Sequence, residues 1–391
     1  MSWPLVKLET VSEFIRNGAS IKQSNDAAGL PITRIETIAD RTVNLDKCGY
    51  ADLSEGEYLN YRLRNGDILI SHINSEKHLA KCAIFESDRG DIVHGMNLLC
   101  LRPSCEVVFP KYLFHYLSSP VFLRLIPAIT KKSVNQASFT VTAFKDLEIP
   151  LPPLPEQKHI AAILDKADAI RRKRQQAIQL ADDFLRAVFL DMFGDPVTNP
   201  KGWDLLPFSA VGTLDRGKSR HRPRNDPALL GGIHPLIQTG EVANSRGYIK
   251  EHSATYSDLG LAQSKKWDAG TLCITIAANI AKTGILTFPA CFPDSVVGFI
   301  PNKHVTVEYV QHWLGFLQKN LEENAPQAAQ KNINLEILRA LLIPVPPKSE
   351  QEKFSSMVAG ILTIEEKIAS SSDALGNAFD ALSQKAFSGQ L

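Results

Sequence analysis

The chain repeats itself at the distance of a whole domain. The run Ile149-Pro150-Leu151-Pro152-Pro153-Leu154-Pro155-Glu156-Gln157 returns as Ile343-Pro344-Val345-Pro346-Pro347-Lys348-Ser349-Glu350-Gln351, so Pro150 corresponds to Pro344 at an offset of 194. The register then continues without a gap until Phe193 meets Phe387. A period of that length exceeds any solenoid unit. The chain is therefore a tandem duplication of one domain and one helix, and 391 residues leave each copy room for its own core. Two copies of one reader on one chain suit a target with two halves.

Ahead of each proline-rich hinge lies a mixed stretch of short apolar runs broken by Gly, Pro and Asn. Asp67–Ser71 and Leu272–Ile276 read as strands, and Tyr112–Leu117 and Tyr309–Leu314 as helices. The copies align loosely here, with Trp3 against Trp203, Gly66 against Gly270 and Tyr112 against Tyr309. Drifting offsets place the differences in loops, where recognition diverges over a shared scaffold.

After each hinge a long helix is expected, and Ser349 with Glu352 forms a capping-box pattern at the second. Apolar positions at Ile160, Ile163, Ala167, Ile170, Ala177, Ala181, Phe184 and Val188 alternate in steps of 3 and 4, with Arg174 interrupting. The second copy offers Phe354, Met357, Ile361, Ile364, Ile368, Leu375, Ala378 and Leu382, with Ser371 interrupting. Two matched seams predict a coiled coil, antiparallel because the helices follow equivalent domains. The expected fold is thus mixed α/β (α+β): two similar globular heads separated by two long helices, with pseudo-two-fold symmetry. Boundaries fall at 1–150, 151–195, 196–344 and 345–391. A helix from residue 156 to 190 is on the order of 50 Å long, against about 34 Å per turn of B-DNA. Such a strut predicts a split target with a fixed, unread spacer.

These residues resemble the specificity subunit of type I restriction-modification systems. Pro150–Gln157, continuing to Phe193-Gly194-Asp195-Pro196 and Asn199-Pro200-Lys201-Gly202-Trp203, looks like that family's central conserved region. Ile343 through Phe387-Ser388-Gly389-Gln390-Leu391 looks like its distal conserved region, and the variable stretches like its two target recognition domains. The resemblance implies a non-catalytic subunit that binds double-stranded DNA. It further implies two methyltransferase subunits carrying S-adenosylmethionine, and restriction/translocase subunits using ATP and Mg²⁺. No cofactor or metal is expected in this chain itself.

Composition sets limits on that reading. A net charge of +1 argues against a polybasic, non-specific nucleic-acid binder but not against a local patch. One such patch is Arg216, Lys218, Arg220, Arg222 and Arg224, five basic residues in nine with His221 among them. Cys48, Cys82, Cys100, Cys105, Cys273 and Cys291 form no CxxC pair, as expected of reduced thiols in a cytoplasmic protein. No apolar run is long enough for a membrane span, and Met1-Ser2-Trp3-Pro4 does not open a signal peptide.

Gly212–Ser219 satisfies the P-loop pattern GxxxxGKS. Pro223 and Pro227, however, sit where the phosphate-cradling helix should run, and the corresponding loop Phe14–Ser20 lacks the lysine. The favoured reading is a phosphate-contacting loop. One rival is an NTP-binding enzyme built on that pattern, and another is a coiled-coil adaptor that never touches DNA. Asn199-Pro200-Lys201 is not the Asn-Pro-Pro-aromatic motif of adenine methylation, and Pro293-Asp294 lacks the Glu-x-Lys of a nuclease. Base reading is expected from polar residues near strand ends: Ser71, Asn74 and Lys77 in the first copy, Asn279 and Lys282 in the second. Further candidates precede the hinges: Lys131, Lys132, Asn135 and Gln136, then Gln330, Lys331 and Asn332. Gln136 and Gln330 are equivalent at offset 194, which favours a shared structural or backbone-contact role.

Overall fold

A computed structural model describes residues 3–24, 27–39, 41–133, 136–221, 223–277, 281–323 and 334–390, with backbone alone at 319–323 and 369–380. The chain forms two compact units, Met1–Gln175 with Ala369–Leu391 and Gln176–Ile368.

In unit 1, β1 (Leu5–Lys7), β2 (Ser12–Asn17), β3 (Ile68–Ser71), β4 (Ile73–Asn74), β5 (Cys82–Ile84), β6 (Leu98–Pro103), β7 (Lys131–Lys132), β8 (Ala137–Ser138) and β9 (Glu148–Pro150) precede the first long helix. The main sheet has the order β2-β6-β3-β5. Residues of β3 and β6 are buried throughout, the apolar runs Ile68–Ile70 and Leu98–Leu101 as well as the polar Ser71 and Arg102 that follow them. The two-residue period sends Ile68, Ile70, Leu99 and Leu101 into one core and Leu69, Leu98 and Cys100 into another. Helix α1 (Pro110–Leu117) opens on a proline, whose missing N–H costs nothing at the first helical position. Three short helices follow, α2 (Pro120–Leu123), α3 (Ile126–Ile129) and α4 (Val141–Lys145). Then comes α5 (Leu154–Phe193), 40 residues long.

His94 is buried in this unit, its Nε2 donating to the Leu98 carbonyl at 2.9 Å. Burial pushes its pKa down to about 4. The unfolded chain then takes up a proton near pH 6.5 while the folded one does not, so stability is lost as pH falls from 6.5 towards 4. About 3 kcal/mol is at stake. Chemical denaturation across that window should show the loss, and His94→Gln, which keeps a donor for Leu98, should flatten it. An unchanged slope in the variant would refute the assignment.

Unit 2 holds β10 (Leu205–Pro207), β11 (Gly212–Arg216), β12 (Leu230–Leu236), β13 (Gly247–Ile249), β14 (Ala254–Tyr256), β15 (Lys266–Trp267), β16 (Leu272–Thr275), β17 (Thr283–Leu286), β18 (Ala290–Cys291), β19 (Val296–Pro301) and β20 (Leu342–Pro344). Its helices are α6 (Thr239–Ala243), α7 (Asp258–Ala262), α8 (Val307–Glu323) and α9 (Leu335–Ala340), followed by the second long helix, α10 (Lys348–Ser388). The sheet β11-β19-β16-β17-β13 repeats the unit 1 order and extends it by one strand. A second sheet of unit 2 has the order β14-β12-β18-β15.

The repeated hinge acts as a clamp. Gln157 Oε1 accepts from the Phe109 amide at 2.7 Å, and its Nε2 donates to the Val107 and Pro152 carbonyls. Gln351 does the same with the Thr306 amide and the His304 and Pro346 carbonyls. Tyr112 and Tyr309 donate to the Pro150 and Pro344 carbonyls, each at 2.7 Å. Proline-rich segments leave carbonyls that no neighbouring strand satisfies, and these side chains supply the donors.

The compact units cut across the boundaries expected from sequence, because each takes half of both long helices. In unit 1, Ile160, Ala161 and Leu164 of α5 share a core with Ala386 and Phe387 of α10. Phe387 meets Tyr112 and Tyr116 edge-on at 5.7 and 5.0 Å. In unit 2, Leu185, Phe189 and Phe193 of α5 share a core with Phe354 and Val358 of α10. The start of one helix thus meets the end of the other in each unit, so they run oppositely wherever they share a core.

Ile160 and Phe354 are buried as their seam positions require, but Ile170, Phe184, Met357 and Ile364 are exposed. Ile163, Ala167, Val188, Ile361, Ile368 and Leu382 are half-buried. The buried positions include Gln157, Ile160, Ala161, Leu164 and Asp168 at the start of α5, Leu185, Phe189 and Phe193 at its end, and Gln351, Phe354 and Val358 at the start of α10. Where the two helices share a core they also face a head, so the covered positions answer to both. The side chains of Leu375 and Ala378 lie outside the described residues.

Candidate nucleic-acid interface

In unit 2 the basic stretch leaves the end of β11 as a loop held at several points. Gly217 lies so close to the Phe292 and Pro293 carbonyls that a Cβ would sit 2.2 and 2.4 Å from them. Ser264 Oγ donates to the Lys218 carbonyl at 2.8 Å. The Arg220 and His221 amides both donate to Gln263 Oε1, at 2.6 and 3.0 Å. His221 pairs with Asp226 at 3.0 Å, and Arg224 with Asp294. Arg216, Lys218, Arg220 and Arg224 are exposed on this fixed backbone, and Arg222 lies outside the described residues. A cavity of about 340 Å³ beside the loop is lined by Ser219, Arg224, Leu236, Gln238, Tyr256 and Pro293. Cationic side chains on a fixed loop can neutralise successive phosphates with little ordering on binding. Gln263 and Ser264, which fix the loop, could not be picked out from the sequence, since nothing nearby in the chain ties them to residues 218–221.

The P-loop pattern does not form a P-loop. Gly212–Arg216 is strand β11, antiparallel to β19, and a Cβ on Gly212 would meet the Phe299 ring and the Ile300 carbonyl rather than open space. Past Lys218 the next helical element among the described residues is a short 3₁₀ turn at Pro227–Leu229, and among them no α-helix N-terminus follows the pattern to cradle a phosphate.

In unit 1 the structure joins two stretches far apart in sequence. Asn74 pairs with Ala137 and Ala137 with Lys132, in a three-stranded sheet of order β4-β8-β7. Lys131, Lys132 and Gln136 are exposed on it, and Lys77 follows on an adjoining 3₁₀ turn. Lys132 pairs with Glu76 at 2.7 Å. The Gln136 carbonyl accepts from the Ser133 amide and hydroxyl. Ser71 must be corrected: it is 1% exposed at the end of β3, and its hydroxyl accepts from Asn74 Nδ2 at 3.1 Å. The serine therefore positions Asn74 and is not itself available to a ligand. In unit 2 Lys282 is exposed and reaches Gln318 at 3.3 Å. Asn135, Asn279, Gln330, Lys331 and Asn332 lie outside the described residues.

Two equivalently built heads, each clamped to its helix by a Gln and a Tyr and each carrying exposed polar or cationic loops, define a duplicated recognition protein. Residues 2–180 and 200–369 match the family described as type I restriction modification DNA specificity domain. The chain is 31% identical over 373 residues to a Methanocaldococcus jannaschii protein assigned as a type I restriction enzyme MjaX specificity subunit, covering 92% of this chain and 86% of that one. It is 22% identical to the type I restriction enzyme EcoBI specificity subunit of Escherichia coli, spanning 100% and 86% of the two. Its fold is similar to that of a type I restriction-modification S subunit from M. genitalium, with a TM-score of 0.62 at 14% identity over 99% and 96% of the chains. The chain belongs to the type I restriction-modification DNA specificity family. Among the described residues no helix is long and apolar enough to cross a membrane.

Proposed function

We propose that this chain is the DNA-reading subunit of a type I restriction-modification complex, and that its two units read the two unlike parts of a split duplex target. The long helices set the unread gap between those parts. Two methyltransferase subunits carrying S-adenosylmethionine assemble with it, and ATP- and Mg²⁺-dependent restriction subunits join them in the cytoplasm. The chain itself contributes recognition and no catalytic group.

The observation that carries this reading is the cationic loop of unit 2, whose backbone is held by Gln263 and Ser264 so that Lys218 and Arg220 stand exposed. A loop built for packing or for nucleotide chemistry has no use for that arrangement, whereas a duplex backbone does.

The test is the salt dependence of duplex binding by the purified complex with its methyltransferase partner. The affinity of the wild-type complex should fall steeply with salt. Lys218→Ala with Arg220→Ala should lower the slope by about two, at roughly 0.9 per phosphate, and weaken binding to all sequences alike. A wild-type complex with no duplex binding, or with a flat salt response, would leave only the adaptor reading.

A further inference from the structure

In unit 2, two large aliphatic side chains stand exposed on neighbouring elements. Ile233 is 84% exposed and Leu259 66%. Ile233 lies on β12, where pairing with β14 is irregular: Leu230 and His234 are both registered to Tyr256, so the three residues between them bulge out. Two glycines make this possible. Gly231 has φ +80°, and a Cβ on Gly232 would sit 2.4 Å from the Tyr256 carbonyl. A bulge re-aims the side chain it carries, and here it turns an isoleucine outwards. His234, the next residue, bonds Asp258 at 2.9 Å, and Asp258 precedes Leu259 on α7. The bond ties β12 to the start of α7, the two elements that carry these aliphatic residues.

The other end of α7 is capped by Gln263, the residue that holds the Arg220 and His221 amides. A five-residue helix is about 8 Å long, so Leu259 stands one short helix away from the residue that holds the cationic loop, and β12 adjoins that helix. Single exposed aliphatics are ordinary, but an isoleucine raised on a glycine bulge, next to the helix whose far end holds the cationic loop, is a built feature. Charge complementarity selects the occupant. The cations suit phosphates, and an apolar tip beside phosphate contacts suits the one apolar group that a base edge presents in the major groove, the thymine methyl.

Building on the function proposed above, we infer that Ile233, backed by Leu259, reads a thymine methyl in the part of the target bound by unit 2. The test uses the complex with its methyltransferase partner and duplexes carrying the target, with each thymine of that part replaced in turn by uracil. At one position uracil should weaken wild-type binding about four-fold, the worth of one buried methyl-sized group. Ile233→Ala should lose a similar factor on the thymine duplex and become indifferent to uracil at that position, with salt slope and partner assembly unchanged. Leu259→Ala should blunt the same discrimination. Both side chains are solvent-exposed, so these variants keep the fold. The inference is overturned if no thymine responds, if Ile233→Ala keeps the full uracil penalty, or if the variant instead loses its protein partner, which would make the patch a subunit interface. A wild-type complex that shows no salt-dependent binding would refute the proposed function itself, a separately readable result.

Discussion

Replacing Phe189 with alanine should cost unit 2 about 3–5 kcal/mol, the range for removing a large buried aromatic. The ring is fully buried at the junction of three helices. It stacks on Tyr309 at 5.5 Å and meets Phe193, Phe316 and Phe354 at 5.0, 5.0 and 5.6 Å. Truncation opens a cavity whose walls are other rings, which cannot collapse without leaving their own rotamers, and forfeits several edge and stacking contacts. The control is on the same helix. Phe184 is 51% exposed, and Phe184→Ala should change stability by no more than about 0.5 kcal/mol. Urea unfolding of the two variants decides the matter. A larger loss at Phe184 than at Phe189 would overturn this assignment of the buried face of α5.

Asp67→Ala should destabilise unit 1 by about 3–5 kcal/mol, because it leaves a guanidinium with no counter-charge in a nearly closed site. Asp67 is 1% exposed and takes both prongs of Arg102, at 2.8 and 2.7 Å. It also accepts from the Arg64 amide at 2.8 Å. Arg102 donates onward to the Arg62 carbonyl and lies over the Phe14 ring at 4.7 Å. The pair joins the turn before β3 to the end of β6, so its loss loosens the central strands. Attraction between the charges is partly offset by their desolvation, so removing both should hurt less than removing one. The double variant Asp67→Leu with Arg102→Met is therefore expected to recover much of the loss in thermal or urea unfolding. If the double variant is as unstable as the sum of the single ones, the cost lies in packing and not in the unpaired charge.

Much of the scaffold was legible from local pattern. The apolar runs Asp67–Ser71 and Leu272–Ile276 became β3 and β16, and the helices at Tyr112 and Tyr309 became parts of α1 and α8. Such runs have few alternatives once their length and flanking turns are set. The face buried by the long helices was less legible. Steps of 3 and 4 can be read as a heptad in any amphipathic helix, and Ile170, Phe184, Met357 and Ile364 satisfied that pattern while lying exposed. The heads at each helix end, not a partner helix alone, select which apolar positions are covered. Ser71 misled for a related reason. A polar residue at a strand end reads as a surface group, yet it is enclosed and serves Asn74.

The candidate interface divides along the same line. The five cations from Arg216 to Arg224 are plain in the sequence, but not the Gln263 and Ser264 contacts that fix their loop some 40 residues away. Nor could sequence join Lys132 to Asn74, which β8 brings together.

By itself the sequence determined the duplication, the hinge and the two long helices, because repetition, proline placement and apolar periodicity are local and survive without knowledge of neighbours. Only the tertiary structure decided which side of each helix is covered, which polar residues are enclosed, and that an isoleucine is raised on a bulge of β12. Burial and hydrogen-bond partners arise from residues distant in the chain, and no window of sequence contains both members of such a contact.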